Sequence, residues 1–114
     1  MNISYEQQFL SQFSTYLHAD LIDDFTDETL EHAARRCGAD FSRKTADLVA
    51  FQEQVDLTKV SNDFVIKLED YSDLDWSSDA ESLRSLRLVL DTIGQEIEFE
   101  IASRNGGDKG DAAH

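Results

Sequence analysis

Hydrophobic residues recur through this chain at three- and four-residue intervals, the spacing that lines one side of a helix. Tyr5, Phe9, Phe13, Tyr16 and Leu17, with Leu10 alongside, follow it over residues 4–18. Ser4 and Gln7 stand there in capping-box spacing. After a short link, Thr26 is placed to cap a second helix. Asp27 and Glu28 then lie at its positive end, and Leu30, Ala33, Ala34 and Cys37 along one face. Arg35 and Arg36 followed by Gly38 read as its C-terminal turn and left-handed cap. Ser42 is placed to start a third helix reaching about Val55, with Leu48, Phe51 and Val55 inward and Val49 beside them.

Residues 61–70 carry two patterns at once. Phe64, Ile66 and Leu68 alternate as in a strand, whereas Phe64, Val65, Leu68 and Tyr71 recur as in a helix. The start signal Ser61-Asn62-Asp63 favours the helix. The last element opens at Ser78-Asp79-Ala80-Glu81, a capping box, and continues through Leu83, Leu86, Leu90, Ile93, Ile97 and Ile101. Gly94 interrupts it at a cost of about 1 kcal/mol relative to Ala. A break there, followed by a strand through Ile97, Phe99 and Ile101, is the competing reading. The expected fold is therefore an all-α single-domain bundle of four to five amphipathic helices over residues 1–104. The alternative is α+β with a short hairpin from 63–69 and 96–102. Residues 105–114, NGGDKGDAAH, offer nothing to bury and are expected to be a disordered tail.

Composition supports this reading. The 114 residues suit one domain, and the complete lack of Pro favours helices over a turn-rich β fold. One cysteine excludes an internal disulfide and suits a reducing, cytoplasmic setting. The N-terminus has no basic stretch followed by an apolar run, and no apolar segment is long enough to span a membrane.

Charge changes the picture more. The net charge is −14, and it is concentrated. Residues 1–34 hold seven acids and no Lys or Arg, while residues 61–81 hold seven acids and only Lys67. Such blocks repel nucleic acid and anionic membranes and attract cationic protein.

Familiar catalytic patterns fail when tested. Cys37 lies on an apolar helix face near a C-terminus, where a thiolate is disfavoured, and His32 is rotated away from it. His18 with Asp20, Asp23 and Asp24 is the only His/acid cluster, too sparse for a metal centre. Asp73 to Asp79 begins like a calcium loop. It then places Ser78 where Gly is required and Arg84 where the closing Glu belongs. Phosphate-binding glycine loops and nucleophile elbows are absent. No enzyme activity, cofactor or metal is expected.

What remains is residues 69–81, EDYSDLDWSSDAE, with six carboxylates and interleaved Tyr71, Leu74 and Trp76. Acids supply long-range attraction and aromatics supply anchoring area. The candidate partner-binding set is Asp70, Tyr71, Asp73, Asp75, Trp76 and Asp79, joined by Asp23, Asp24 and Asp27 of the first acidic block. Ser78 and Glu81 are assigned to capping. Tyr71 and Trp76 fit either a core or a contact role.

On the character of Glu69–Glu81 and Asp20–Glu31, the chain resembles the small immunity proteins that bacteria make against their own secreted nuclease toxins. Colicin-type members of that class carry paired tyrosines, where this chain has Tyr71 and Trp76 five residues apart. The resemblance implies a cytoplasmic monomer or weak dimer that binds a basic toxin domain stoichiometrically. It would occlude the groove that nucleic acid uses, without contacting nucleic acid itself. A DNA-mimic or anti-restriction protein and an acidic secretion chaperone or adaptor are the alternatives.

Overall fold

The computed structural model describes the backbone of residues 4–113 and the side chains of residues 4–105. Five helices follow one another: α1 Tyr5–Tyr16, α2 Asp27–Lys44, α3 Leu48–Gln54, α4 Asn62–Ser72 and α5 Ala80–Ala113. There is no strand among the described residues, so the hairpin alternative over 63–69 and 96–102 does not form. The disordered tail expected over 105–114 carries helical backbone as far as Ala113, and its side chains beyond Asn105 lie outside the described residues.

Each start is fixed by a side-chain oxygen that accepts an otherwise orphaned backbone N–H. Ser4 accepts from Gln7, Thr26 from Thr29, Asp47 from Ala50 and Ser61 from Phe64. The ambiguous segment becomes helix α4. Phe64, Val65 and Leu68 are buried while Ile66 is exposed, the inverse of what strand alternation demands.

Two expected boundaries move. Gly38 does not end α2; the helix runs on for six residues to Lys44. The glycine answers a packing need instead. A Cβ there would stand 2.9 Å from Glu96 Cβ and 3.1 Å from both Cα and O of Ile93. Only a hydrogen lets α2 and α5 approach so closely. Ser42, expected as a cap, is therefore buried inside α2, and Asp47 starts the shorter α3.

The end of α2 is closed from across the bundle. Arg104 donates to the carbonyls of Ser42 at 2.8 Å, Thr45 at 3.2 Å and Ala46 at 3.1 Å, while its Nε holds Glu100 at 2.9 Å. A cation on the exposed carbonyls of a helix C-terminus satisfies both their lone pairs and the dipole. Gly94 leaves α5 unbroken.

The core forms where α1 meets α2 and α4 and where α2 lies along α5. Phe9 is its centre, with ring centroids 5.6 Å from Phe41, 5.7 Å from Phe51 and 6.2 Å from Phe64. At the rim, Asp40 accepts from Gln12 at 2.7 Å and Tyr16 at 3.0 Å and pairs with Lys44 at 3.1 Å. Lys44, Tyr16 and Gln12 hold its carboxyl down at about 2.

Candidate functional site

The two acidic blocks, some forty residues apart in sequence, meet at one end of the bundle. The link after α1 turns back on itself: the carbonyl of His18 accepts from Leu21 N at 2.8 Å and Ile22 N at 3.1 Å. Asp20 N donates to His18 Nδ1 at 3.0 Å. This turn is tied to the end of α4 by Ala19 N, which donates to the Ser72 carbonyl at 2.8 Å. Phe25 then lies against Trp76, centroids 5.4 Å apart.

Trp76 is fully buried. Its ring stands edge-on to Phe13 at 6.0 Å, and its Nε1 donates to Ser72 Oγ at 3.1 Å. Ser72 Oγ donates in turn to the Leu68 carbonyl at 2.6 Å. The expectation that Trp76 contacts a partner is thus corrected. An indole with its N–H satisfied internally and no exposed surface is part of the core. Tyr71 is on the surface, with 38% of its area exposed.

The carboxylates of the second block divide by task. Asp73 ends α4 in the left-handed region at φ 58°, its N–H on the Glu69 carbonyl at 2.8 Å. Its own carboxylate is exposed, as is that of Asp70. Asp79 is the cap of α5: its Oδ1 accepts from Ser82 N at 2.7 Å, and this bond lowers its pKa. Ser78, assigned to that role from sequence, instead exchanges a hydrogen bond with Ser82 Oγ at 3.1 Å. The boundary shifts by one residue because Asp79, three before Ser82, has the better reach. Asp79 is therefore a structural residue that also carries charge.

Glu69 and Asp75 act as a pair. Glu69 Oε2 accepts from Ser77 N at 2.9 Å and Ser77 Oγ at 2.7 Å, which lowers its pKa. Asp75 is driven the other way, chiefly by a hydrogen bond to Glu69 that requires it to hold the proton. From the first block, Asp23, Asp24 and Asp27 are exposed, with Asp27 in the first turn of α2.

The site thus gathers Asp23, Asp24, Asp27, Asp70, Tyr71, Asp73 and Asp75 at one end and excludes Trp76. It also contains two residues that sequence reasoning passed over. Leu21 is 57% exposed and Phe25 44%. Both sit in LIDDF, where apolar side chains alternate with acids much as they do in YSDLDW. That likeness between the link after α1 and the end of α4 with the turn that follows was the available signal.

Chemistry at this end is that of charge and apolar contact. Among the described residues no group of three or more His, Cys, Asp or Glu is placed to hold a metal ion. Cys37 is buried elsewhere, against the Gln12 carbonyl at 3.7 Å, and burial pushes its thiol up to about 12. No described helix is long and apolar enough to cross a membrane. No family model, curated protein or solved structure matches this chain.

Proposed function

We propose that this chain is an immunity- or antitoxin-type protein that binds a basic toxin domain, a nuclease by preference, and occludes its nucleic-acid groove. It acts as a monomer or weak dimer in the bacterial cytoplasm. One observation carries the reading. The Ala19–Ser72 hydrogen bond and the Phe25–Trp76 contact bring both acidic blocks onto a single end of the bundle, with Leu21, Phe25 and Tyr71 exposed among them. Clustered acids attract a cationic partner from a distance, and exposed apolar groups hold it once docked. Nucleic acid itself is repelled by the same surface.

The test is binding of the purified chain to the basic nuclease domain encoded beside its gene, followed by stopped-flow kinetics. Reversing Asp23 and Asp24, or Asp70 and Asp73, to Lys slows association at low salt by roughly ten-fold or more. Phe25→Ala leaves association alone and speeds dissociation. If reversing Glu53 and Asp63, away from this end, slows association equally, the surface is misplaced. If no adjacent basic domain binds and cells gain no protection, the reading fails.

A further inference from the structure

The segment that presents Leu21 and Phe25 is held by few bonds, and one of them depends on a titratable ring. α1 stops at Tyr16 and α2 starts at Asp27, so the chain between them has no helix of its own. Its turn is fixed at three places. The His18 carbonyl accepts from Leu21 N and Ile22 N, Ala19 N donates to the Ser72 carbonyl at 2.8 Å, and Asp20 N donates to His18 Nδ1 at 3.0 Å.

The last of these bonds is the informative one. A ring nitrogen accepts a backbone N–H only when it carries no proton itself. Nδ1 is therefore the bare nitrogen, and the neutral imidazole holds its proton on Nε2. An imidazolium carries N–H at both positions and cannot keep this bond. Its Nδ1–H has another acceptor at hand, since Asp20 Oδ2 stands 3.6 Å away. One proton taken from solvent thus exchanges a bond that organises the backbone for an ion pair with an exposed side chain. The ring is 30% exposed, open to that proton. The elements that meet this turn bring further charges. Asp70 and Asp73 end α4 beyond the Ala19–Ser72 bond, Asp27 opens α2, and Arg36 of α2 lies over the Tyr16 ring at 5.4 Å from its centroid. Among the described residues Asp20 is the one ion-pair partner of His18.

We propose that His18 is a proton-controlled latch for the partner-binding segment: the neutral ring holds residues 19–25 against the end of α4, and protonation releases them. Local electrostatics of this kind act on whatever the bond restrains. Here the restrained groups are Leu21, Asp23, Asp24 and Phe25, so acid loosens one half of the surface and leaves the half on α4 in place. The consequence for docking rests on the function proposed above. The latch itself is a property of the free chain and is tested there, so failure of toxin binding and failure of the latch are separate results.

Backbone amide exchange and relaxation are measured by NMR on the full chain at about pH 7.5 and about pH 5.5, across which imidazoles change charge. Exchange is expressed relative to the unstructured rate at each pH. In the parent, protection at Ala19 and Asp20 falls by roughly three- to ten-fold at the lower pH, the effect of losing one hydrogen bond. Order parameters over residues 21–25 drop below about 0.6. His18→Asn keeps an oxygen that accepts the N–H two residues on, as in an Asx turn, and has no proton to gain. It stays protected at both pH values. His18→Ala is unprotected at both. The carboxylates, Asp20 and Asp75 among them, are the same in all three chains. A loss in acid that His18→Asn shares therefore belongs to them and overturns the proposal. So does parent protection that does not change with pH, and so does His18→Ala as well protected as the parent at the higher pH. Circular dichroism checks that the variants stay helical, and the comparison of parent with His18→Asn decides alone should His18→Ala disturb folding.

Discussion

Trp76 shows how far one side chain's surroundings decide its role. It sits in a run of carboxylates, yet it closes the end of the core between Phe13 and Phe25. Removing it leaves a large cavity and one wall of that core unsupported. Trp76→Ala is expected to lower stability by about 3–5 kcal/mol, read by urea denaturation. Asp75 makes a prediction of opposite sign. Its folded pKa is raised above the ordinary 3.8 by Glu69, so the folded state holds that proton more tightly than the unfolded one. The stability so gained is present below 3.8 and lost as pH rises through the raised value. Asp75→Asn supplies a permanent N–H donor to Glu69 and removes that loss. The variant therefore melts at a higher temperature than the parent at pH 7, and the gap narrows as the pH falls toward 4. An unchanged gap across this range would show that Glu69 and Asp75 do not share the proton.

The helices themselves were largely legible. Ser4, Thr26 and Ser61 cap where local spacing put them, because capping is decided within four residues. Gly38 and Ser42 misled for the complementary reason. Arg-Arg-x-Gly reads the same whether the glycine ends a helix or admits a neighbouring one, and only the contact with Ile93 and Glu96 distinguishes them. The site was half legible. The acids of both blocks were visible in sequence, whereas their meeting depends on Ala19 reaching Ser72, which no local pattern records. Leu83 was misjudged similarly: its spacing fits the buried stripe of α5, yet it is 45% exposed in the first turn, before α5 packs along α2. The two mid-helix glycines give an element-scale test. Gly94→Ala meets nothing and gains helix propensity, so it stabilises by about 0.5–1 kcal/mol. Gly38→Ala gains the same propensity but pushes α2 off α5, a strain of about 1–3 kcal/mol that wins. Equilibrium denaturation of the pair should give opposite signs.

At the scale of the whole molecule, 24 acidic residues face ten basic ones. The cations are mostly committed to local pairs, such as Arg35 with Glu31 and Glu96, Lys67 with Glu6, and Arg104 with Glu100. Exposed pairs of this kind contribute only about 0–1 kcal/mol each. The uncompensated repulsion therefore outweighs them, and salt, which shortens electrostatic reach to about 10 Å at 0.1 M, relieves it. Melting temperature should rise as NaCl is raised, while affinity for a cationic partner falls. A melting temperature that drops with salt would mean the ion pairs dominate instead. The same architecture has a practical side. The chain has a single tryptophan, set beneath Phe25 where the core meets the acidic surface. Its fluorescence is thus an intrinsic optical reporter, blue-shifted while the indole stays dry. Anything that lifts or presses Phe25 alters that emission, so docking at this end announces itself in the spectrum without an added dye.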